Sequence, residues 1–294
     1  MTAPTFPRSP LRWAGGKSRV RDLIARLLPD HRAYIEPFGG AGSVLLAKSP
    51  APVEVYNDLD GELVNFFRVL RDDPDGLLRA FRWALVSRNE YVRLAGLDPA
   101  KLTPTERAYR FYYLVMANWG AESGRFRFQA SISGGGGGNR LIGALANLEK
   151  RFVPVHRRLQ RVIIEELPWQ EVLERYDGPD TAFYLDPPYP GHQVRYGVNM
   201  RGLDEHRTLW RSLKHLKGRW LLSTYDDADL RLEMERIFDG EARYYPINVP
   251  WGSPSRRPDR NKELLVANYP LPQGALLPNP NSNQEPVPLF PQFT

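Results

Sequence analysis

A chain of 294 residues with 42% hydrophobic and 12% aromatic residues is long and apolar enough to bury a sizeable core, as one large domain or two smaller ones. No apolar run approaches the roughly 20 residues of a membrane helix, and the start, with Pro4, Pro7 and Pro10, lacks a signal-peptide stretch, so a globular cytoplasmic protein with no membrane partner is expected. The absence of cysteine excludes disulfides, cysteine-ligated zinc and thiolate nucleophiles, while 40 Lys+Arg against 34 Asp+Glu gives +6 and a pI near 9.5, favouring a polyanionic partner.

AYIEPFGG at Ala33 to Gly40 predicts a short buried strand running into glycines, and SVLLAK behind it predicts the start of a helix. VEVYND at Val53 to Asp58 predicts a second strand, followed by an apolar-rich helix from Gly61 to Leu70. Such alternation predicts a parallel sheet. Asp73 with Pro74 then caps a helix with Leu77, Phe81 and Leu85 on one face, where a helical insertion begins. Thr103, Pro104 and Glu106 form a capping box, and Ala108, Phe111, Tyr112 and Val115 continue that helix to Gly120. From Gly124 to Arg140 the residues GRFRFQASISGGGGGNR predict a short strand or hairpin at Phe126 and Phe128, ending in a glycine loop. The sheet pattern resumes at TAFYLDPPY, RWLLSTYDD, ARYYPINV and ELLVANY, with an amphipathic helix bearing Leu209, Leu213 and Leu216 between the first two. Residues 273–294, rich in Pro, Asn and Gln, predict a disordered tail. The expected fold class is α/β, with a core of residues 1–70 and 166–272 around an insertion of residues 71–165.

Phe38, Gly40 and Gly42 in EPFGGAGS lie on the first strand-to-helix turn, where glycines let a nucleotide-like cofactor approach the backbone. Asp58 ends the second strand at about the spacing of a carboxylate that takes ribose hydroxyls. On their own, the glycines equally read as a chain turn and Asp58 as a helix cap. DPPY, from Asp186 to Tyr189, follows a strand and so stands at the edge where open α/β sheets bind ligands. A flipped base needs an acceptor for its amino group and an aromatic face. Asp186 and the Pro187 carbonyl supply the acceptors, and Tyr189 supplies the face. Held in this way, the amino nitrogen aims its lone pair at a methyl donor, and direct displacement needs no covalent enzyme intermediate. Methylation of a cytosine carbon needs a thiolate and is excluded. By itself DPPY is also compatible with a plain Asp-Pro-Pro turn beside a packed tyrosine. AGGKS is no phosphate-binding loop, because Leu11 stands where that pattern requires glycine. RWAGGK instead offers Trp13 as an aromatic face and Lys17 as a cation for an anionic cofactor group.

RWAGGK, EPFGGAGS, YNDLD and DPPY, in this order and with a helical insertion before DPPY, resemble the Dam-like class of adenine-specific DNA methyltransferases over nearly the whole chain. LLSTYDD and NKELLVANY are similar to that family's later core strands, and the glycine loop preceding DPPY marks its alpha arrangement. The resemblance implies a Rossmann-like S-adenosylmethionine-dependent core with a mostly parallel twisted sheet and a mainly helical inserted target-recognition domain. It further implies that Trp13, Lys17, Phe38, Gly40, Gly42, Asp58 and Asp186 bind S-adenosylmethionine without a metal. Asp186, Pro187 and Tyr189 would hold the adenine whose N6 is methylated. The rivals are methylation of cytosine N4, against which Asp186 speaks because related cytosine enzymes more often have serine there, and a non-catalytic DNA-binding protein, against which both intact motifs speak.

The chain departs from the family at Arg12, where lysine is usual, and at Pro168 and Trp169, where an acid-aromatic pair is usual. The family's Arg-x-Asn-x-x-Gly-x-Phe-Asn hairpin is replaced by ESGRFRFQASISGGGGG, so the GATC target is not inherited. Arg125, Arg127 and Arg140 are expected to touch double-stranded DNA, mostly at phosphate. Lys150, Arg151, Arg157, Arg158 and Arg161 add to a basic insertion, the alternative being a solvated basic helix face. Gln284, Val287, Leu289 and Phe290 in QEPVPLF resemble the short peptide that docks replication proteins on the bacterial sliding clamp, the alternative being a proline-rich tail with an incidental Leu-Phe. A monomer is expected, acting in the cytoplasm at the bacterial nucleoid or encoded by a phage in a bacterial host.

Overall fold

The computed structural model describes residues 6–13, 15–118, 128, 140–190, 200, 202–248 and 262–272. Phe126, the glycine loop, Arg125, Arg127 and the 273–294 tail lie outside the described residues. Seven strands, β1 (Ala33–Glu36), β2 (Val53–Asn57), β3 (Ile163–Glu165), β4 (Thr181–Leu185), β5 (Arg219–Tyr225), β6 (Arg243–Asn248) and β7 (Lys262–Ala267), form one sheet in the order β3-β2-β1-β4-β5-β7-β6. The first five of that order are parallel, and β7 runs antiparallel to both of its neighbours. This is the mostly parallel α/β architecture expected of the sequence.

Side chains alternate across a strand, and here both faces are covered. Tyr34, Tyr56, Tyr184, Leu221 and Leu265 pack with α1 (Arg21–Leu27), α2 (Gly61–Asp72), α3 (Pro74–Phe81), α4 (Arg88–Ala95), α5 (Pro104–Ala117), α6 (Arg140–Leu145) and α7 (Leu148–Leu159). Ile35, Val55, Phe183, Leu185, Leu222 and Leu264 pack with α8 (Trp169–Tyr176), α9 (Leu203–Lys214) and α10 (Ala228–Phe238). Two-sided burial is why TAFYL and WLLST are continuous apolar runs. No described helix is long and apolar enough to cross a membrane.

Local chemistry sets the helix starts. Thr103 and Glu106 close the capping box of α5, the Asp73 side chain accepts from Gly76 N at 2.9 Å, and Asp60 accepts from Glu62 N and Leu63 N ahead of α2. Three expectations are corrected. SVLLAK closes little more than one turn, with Leu46 N 3.0 Å from Gly42 O, because Pro50 and Pro52 follow too soon for a helix to continue. α5 stops at Ala117, since Asn118 turns extended and bridges antiparallel to Phe128. Leu85 lies beyond the end of α3 and is 76% exposed.

The helices within residues 71–165 continue the core of the sheet. Phe66 of α2 stacks on Tyr112 of α5 with centroids 5.6 Å apart and meets Phe152 of α7 edge-on at 5.9 Å. Within residues 71–165, β3 hydrogen-bonds to β2 as an edge strand of the main sheet. Arg158 is neither a solvated residue nor a free DNA cation. It lies 2.8 Å from Glu54 Oε1 and 2.9 Å from Leu45 O, because the buried Glu54 carboxylate demands positive partners and takes Lys48 as its other one at 2.6 Å. Arg151 likewise turns inward to Pro10 O at 3.3 Å.

Candidate active site

Strand order reverses between β1 and β4, with β2 and β3 on one wing and β5, β7 and β6 on the other. Open α/β sheets bind ligands outside the carboxyl ends of the strands at such a reversal. A cavity of about 460 Å³ lies there, within the range of small-molecule sites. Glu36 to Ala41 enter it from the end of β1, Asp58 to Asp60 from β2, Asp186 to Tyr189 from β4, and Trp13 with Gly15 to Lys17 from the N-terminal turn. Trp169, Gln170, Glu205, Thr208, Tyr225 and Glu263 complete much of the wall.

The glycine turn is built against β2. Gly39 N donates to Asn57 O at 2.7 Å, and a Cβ on Gly39 would lie 2.3 Å from Tyr56 Cε2, so only glycine fits. The Tyr56 hydroxyl donates to Gly40 O at 2.7 Å, and Gly40 N donates to Asp58 Oδ2 at 2.8 Å. Gly40 and Gly42 have φ of 49° and 63°, a region open mainly to glycine. The other Asp58 oxygen accepts from Asp60 N at 2.9 Å. Asp58 is therefore a tie that fixes the turn at the cavity wall, while Asp60 caps α2. Burial pushes the Asp58 carboxyl up to about 6, against the pull of these N–H donors.

Lys17, Asp186, Tyr189 and Glu263 form one cluster. Lys17 Nζ lies 2.8 Å from Asp186 Oδ1, 3.8 Å from Glu263 Oε2 and 4.9 Å from the centre of the Tyr189 ring. The Tyr189 hydroxyl donates to Glu263 Oε2 at 3.2 Å, and the Tyr189 ring meets Tyr225 edge-on at 4.6 Å. Burial pulls the Lys17 ammonium down, but the charges of Asp186 and Glu263 carry it above its ordinary value. Burial pushes the Asp186 and Glu263 carboxyls up, while Lys17 opposes the rise at both. The arrangement holds a carboxylate oxygen and an aromatic ring next to each other at the cavity wall.

Glu36 adds a further buried acid. Its Oε1 accepts from the Tyr34 hydroxyl at 2.6 Å and Leu45 N at 2.7 Å, and burial pushes its carboxyl up to about 7. Among the described residues, the cavity lining thus carries six carboxyl groups, on Glu36, Asp58, Asp60, Asp186, Glu205 and Glu263, and one cation, Lys17. In a chain of net charge +6, this local sign is reversed. The field of these described residues favours a cationic ligand.

Of the residues singled out in the sequence, Trp13, Lys17, Phe38, Gly40, Asp58, Asp186, Pro187 and Tyr189 line this cavity, as does Trp169. Gly42 shapes the turn behind it, where a Cβ would sit 3.7 Å from Tyr56 Cε2. Arg140 opens α6 as an exposed residue away from the lining. Sequence reasoning passed over Gly39, Glu36, Tyr225 and the role of Glu263. An acid directly ahead of the apolar run LLVA was the available signal for Glu263.

Residues 13–246 match the family described as D12 class N6 adenine-specific DNA methyltransferase. The chain is 27% identical over 189 residues to a DNA adenine methylase of Vibrio cholerae, a match covering 62% of this chain and 65%, just under two thirds, of that protein. It is 26% identical over 277 residues to a DNA adenine methylase of Haemophilus influenzae, covering 87% of this chain and 92% of that one. It is 25% identical over 218 residues to the type II methyltransferase M.CviBI of Paramecium bursaria Chlorella virus NC1A, covering 72% and 80%.

Proposed function

Because the chain belongs to the D12 class of N6 adenine-specific DNA methyltransferases, we propose that its cavity transfers the methyl group of S-adenosylmethionine to N6 of an adenine flipped out of double-stranded DNA. The observation that carries this reading is the 2.8 Å contact of Lys17 with Asp186, which brings the RWAGGK and DPPY motifs together in the cavity that the glycine turn also lines. The residues present suit the cofactor. The turn at Gly39 and Gly40 admits close approach, Trp13, Phe38 and Trp169 offer aromatic surface, and the acidic lining matches a sulfonium. In this reading Trp13, Lys17, Phe38, Gly40, Gly42, Asp58 and Asp186 hold S-adenosylmethionine, which supplies an electrophilic methyl group.

The chain's own residues then prepare the base. Unstacking an adenine costs a few kcal/mol, which stacking on the Tyr189 ring offsets. Asp186 accepts one amino hydrogen and the Pro187 carbonyl the other, leaving the nitrogen lone pair to attack. The Lys17 ammonium favours the ionised form of Asp186, which accepts and cannot donate. As the N–C bond forms and the methyl–sulfur bond breaks, the amino nitrogen sheds one proton, for which Asp186 is the adjacent base.

Residues 71–165 are the proposed DNA-reading insertion, with Arg125, Arg127 and Arg140 on phosphate. The acidic lining would hold the phosphates outside while a base enters. Gln284, Val287, Leu289 and Phe290 are the proposed sliding-clamp contact, an idea that a labelled tail peptide failing to bind clamp at high micromolar concentration would end. The activity is tested by incubating purified protein with methyl-labelled S-adenosylmethionine and duplex DNA, then separating the nucleosides. Label in N6-methyldeoxyadenosine is expected; label in N4-methyldeoxycytidine, or none in DNA, overturns the reading.

A further inference from the structure

Asp186-Pro187-Pro188-Tyr189 contains two consecutive residues without an N–H. Such a turn cannot be fastened by backbone donors of its own prolines, so it is held through its acceptors. The Pro188 carbonyl has its partner on α9, where His206 Nε2 lies 2.8 Å away. His206 Nδ1 lies 2.8 Å from the carbonyl of Gly202, the residue ahead of α9. The imidazole is 2% exposed and tilts against Trp210 with centroids 6.2 Å apart. It therefore spans the catalytic turn and the entry to a helix that also contributes Glu205 and Thr208 to the cavity wall. A carbonyl oxygen only accepts, so each contact needs a hydrogen on the ring nitrogen that faces it, Nδ1 towards Gly202 and Nε2 towards Pro188.

Successive carbonyls along a chain held at proline φ point in different directions. With the Pro188 carbonyl committed to His206, the Pro187 carbonyl is left for a ligand, and the peptide leading to Tyr189 is set. We propose that His206 is a positioning residue for methyl transfer, its Nε2–H holding Pro188 so that the Pro187 carbonyl and the Tyr189 ring meet the target base together. This inference rests on the methyl-transfer reading above. His206 lies outside the cavity lining and acts through the turn, where misplacement by about 1 Å costs on the order of 100-fold in rate.

Two substitutions of similar length separate a donor from mere bulk. H206Q places an amide N–H within reach of Pro188, whereas H206M fills the same space without a donor. The full-length protein is assayed with saturating duplex DNA and S-adenosylmethionine, alongside melting curves and calorimetric binding of S-adenosylhomocysteine. H206M is expected to lose tenfold or more in kcat, with binding of S-adenosylhomocysteine changed less than about twofold, and H206Q to stay within about threefold of wild type. Equal kcat for H206Q and H206M in an active background overturns the proposal. If H206M does not fold, H206N, too short to reach Pro188, takes its place against H206Q under the same criterion. Wild type that methylates no DNA overturns the parent reading and this inference with it.

Discussion

The Lys17 ammonium lies 2.8 Å from Asp186 across a separation of 169 residues, and Glu263 faces it from a third part of the chain at 3.8 Å. One buried cation therefore ties the N-terminal turn to β4 and β7. Removing one partner of a buried pair leaves an uncompensated charge, at a cost of about 3–5 kcal/mol. Lys17→Met is expected to lose about that much stability in a urea titration at pH 7, and to recover part of it as the pH falls and the two carboxyls take up protons. A variant as stable as wild type at pH 7 would show that the pair contributes nothing to the fold.

At Gly39, the next atom of any side chain would lie 2.3 Å from Tyr56 Cε2. The turn must shift to accept it, which moves the Gly40 carbonyl off the Tyr56 hydroxyl and the Gly40 N–H off Asp58. Gly39→Ala should weaken S-adenosylhomocysteine binding by about a hundredfold, on the scale of a misplaced contact geometry, with the fold retained by circular dichroism. Calorimetry checks it, and unchanged affinity would separate the turn from the cofactor.

Glu36 binds its proton more tightly in the folded protein, where burial raises the carboxyl from 4.5 to about 7. Between those values the folded state holds a proton that the unfolded chain has released, so stability falls as pH rises, and the full cost is present above about 7. The cost is on the order of 3 kcal/mol. Glu36→Gln keeps an oxygen for the Tyr34 hydroxyl and Leu45 N and removes the titration. Relative to wild type, the variant should gain stability between pH 5 and pH 8. Urea midpoints at both values measure this, and a difference independent of pH would contradict it.

Phe152 is fully buried where α7 meets α2, α3 and α5, with edge contacts to Tyr112 at 5.0 Å and Phe66 at 5.9 Å. Phe152→Ala should cost about 3–5 kcal/mol by leaving a cavity that its aromatic neighbours cannot close. Thermal and urea unfolding at one pH report the loss. A loss below about 1 kcal/mol would mean that the surrounding rings close the cavity after all.

Much of this architecture was legible because burial on two faces makes its strands continuous apolar runs, as in TAFYL, and because Thr103 and Asp73 announce helix starts. The glycine turn and DPPY were legible as motifs in order. β3 is only three residues long, too short for a pattern to emerge, and Pro154 inside α7 disguises a helix whose Leu148, Phe152, Val155 and Leu159 face the core. SVLLAK has a helical composition that two following prolines cut short. Glu263 and His206 enter the story through contacts 74 and 18 residues away in sequence, and no local periodicity encodes those. Arg158 looked like surface charge because its partner, Glu54, lies 104 residues upstream.

In the proposed reaction, Asp186 and its neighbours methylate adenine N6 in DNA. Long-read sequencing and nucleoside analysis of DNA from a methylation-deficient host expressing wild type, beside an Asp186→Ala control of equal abundance, test it most directly. N6-methyladenine at a defined sequence, absent from the control, is the predicted result. Methylation of cytosine, or no modified base with the wild-type protein folded and abundant, would contradict it.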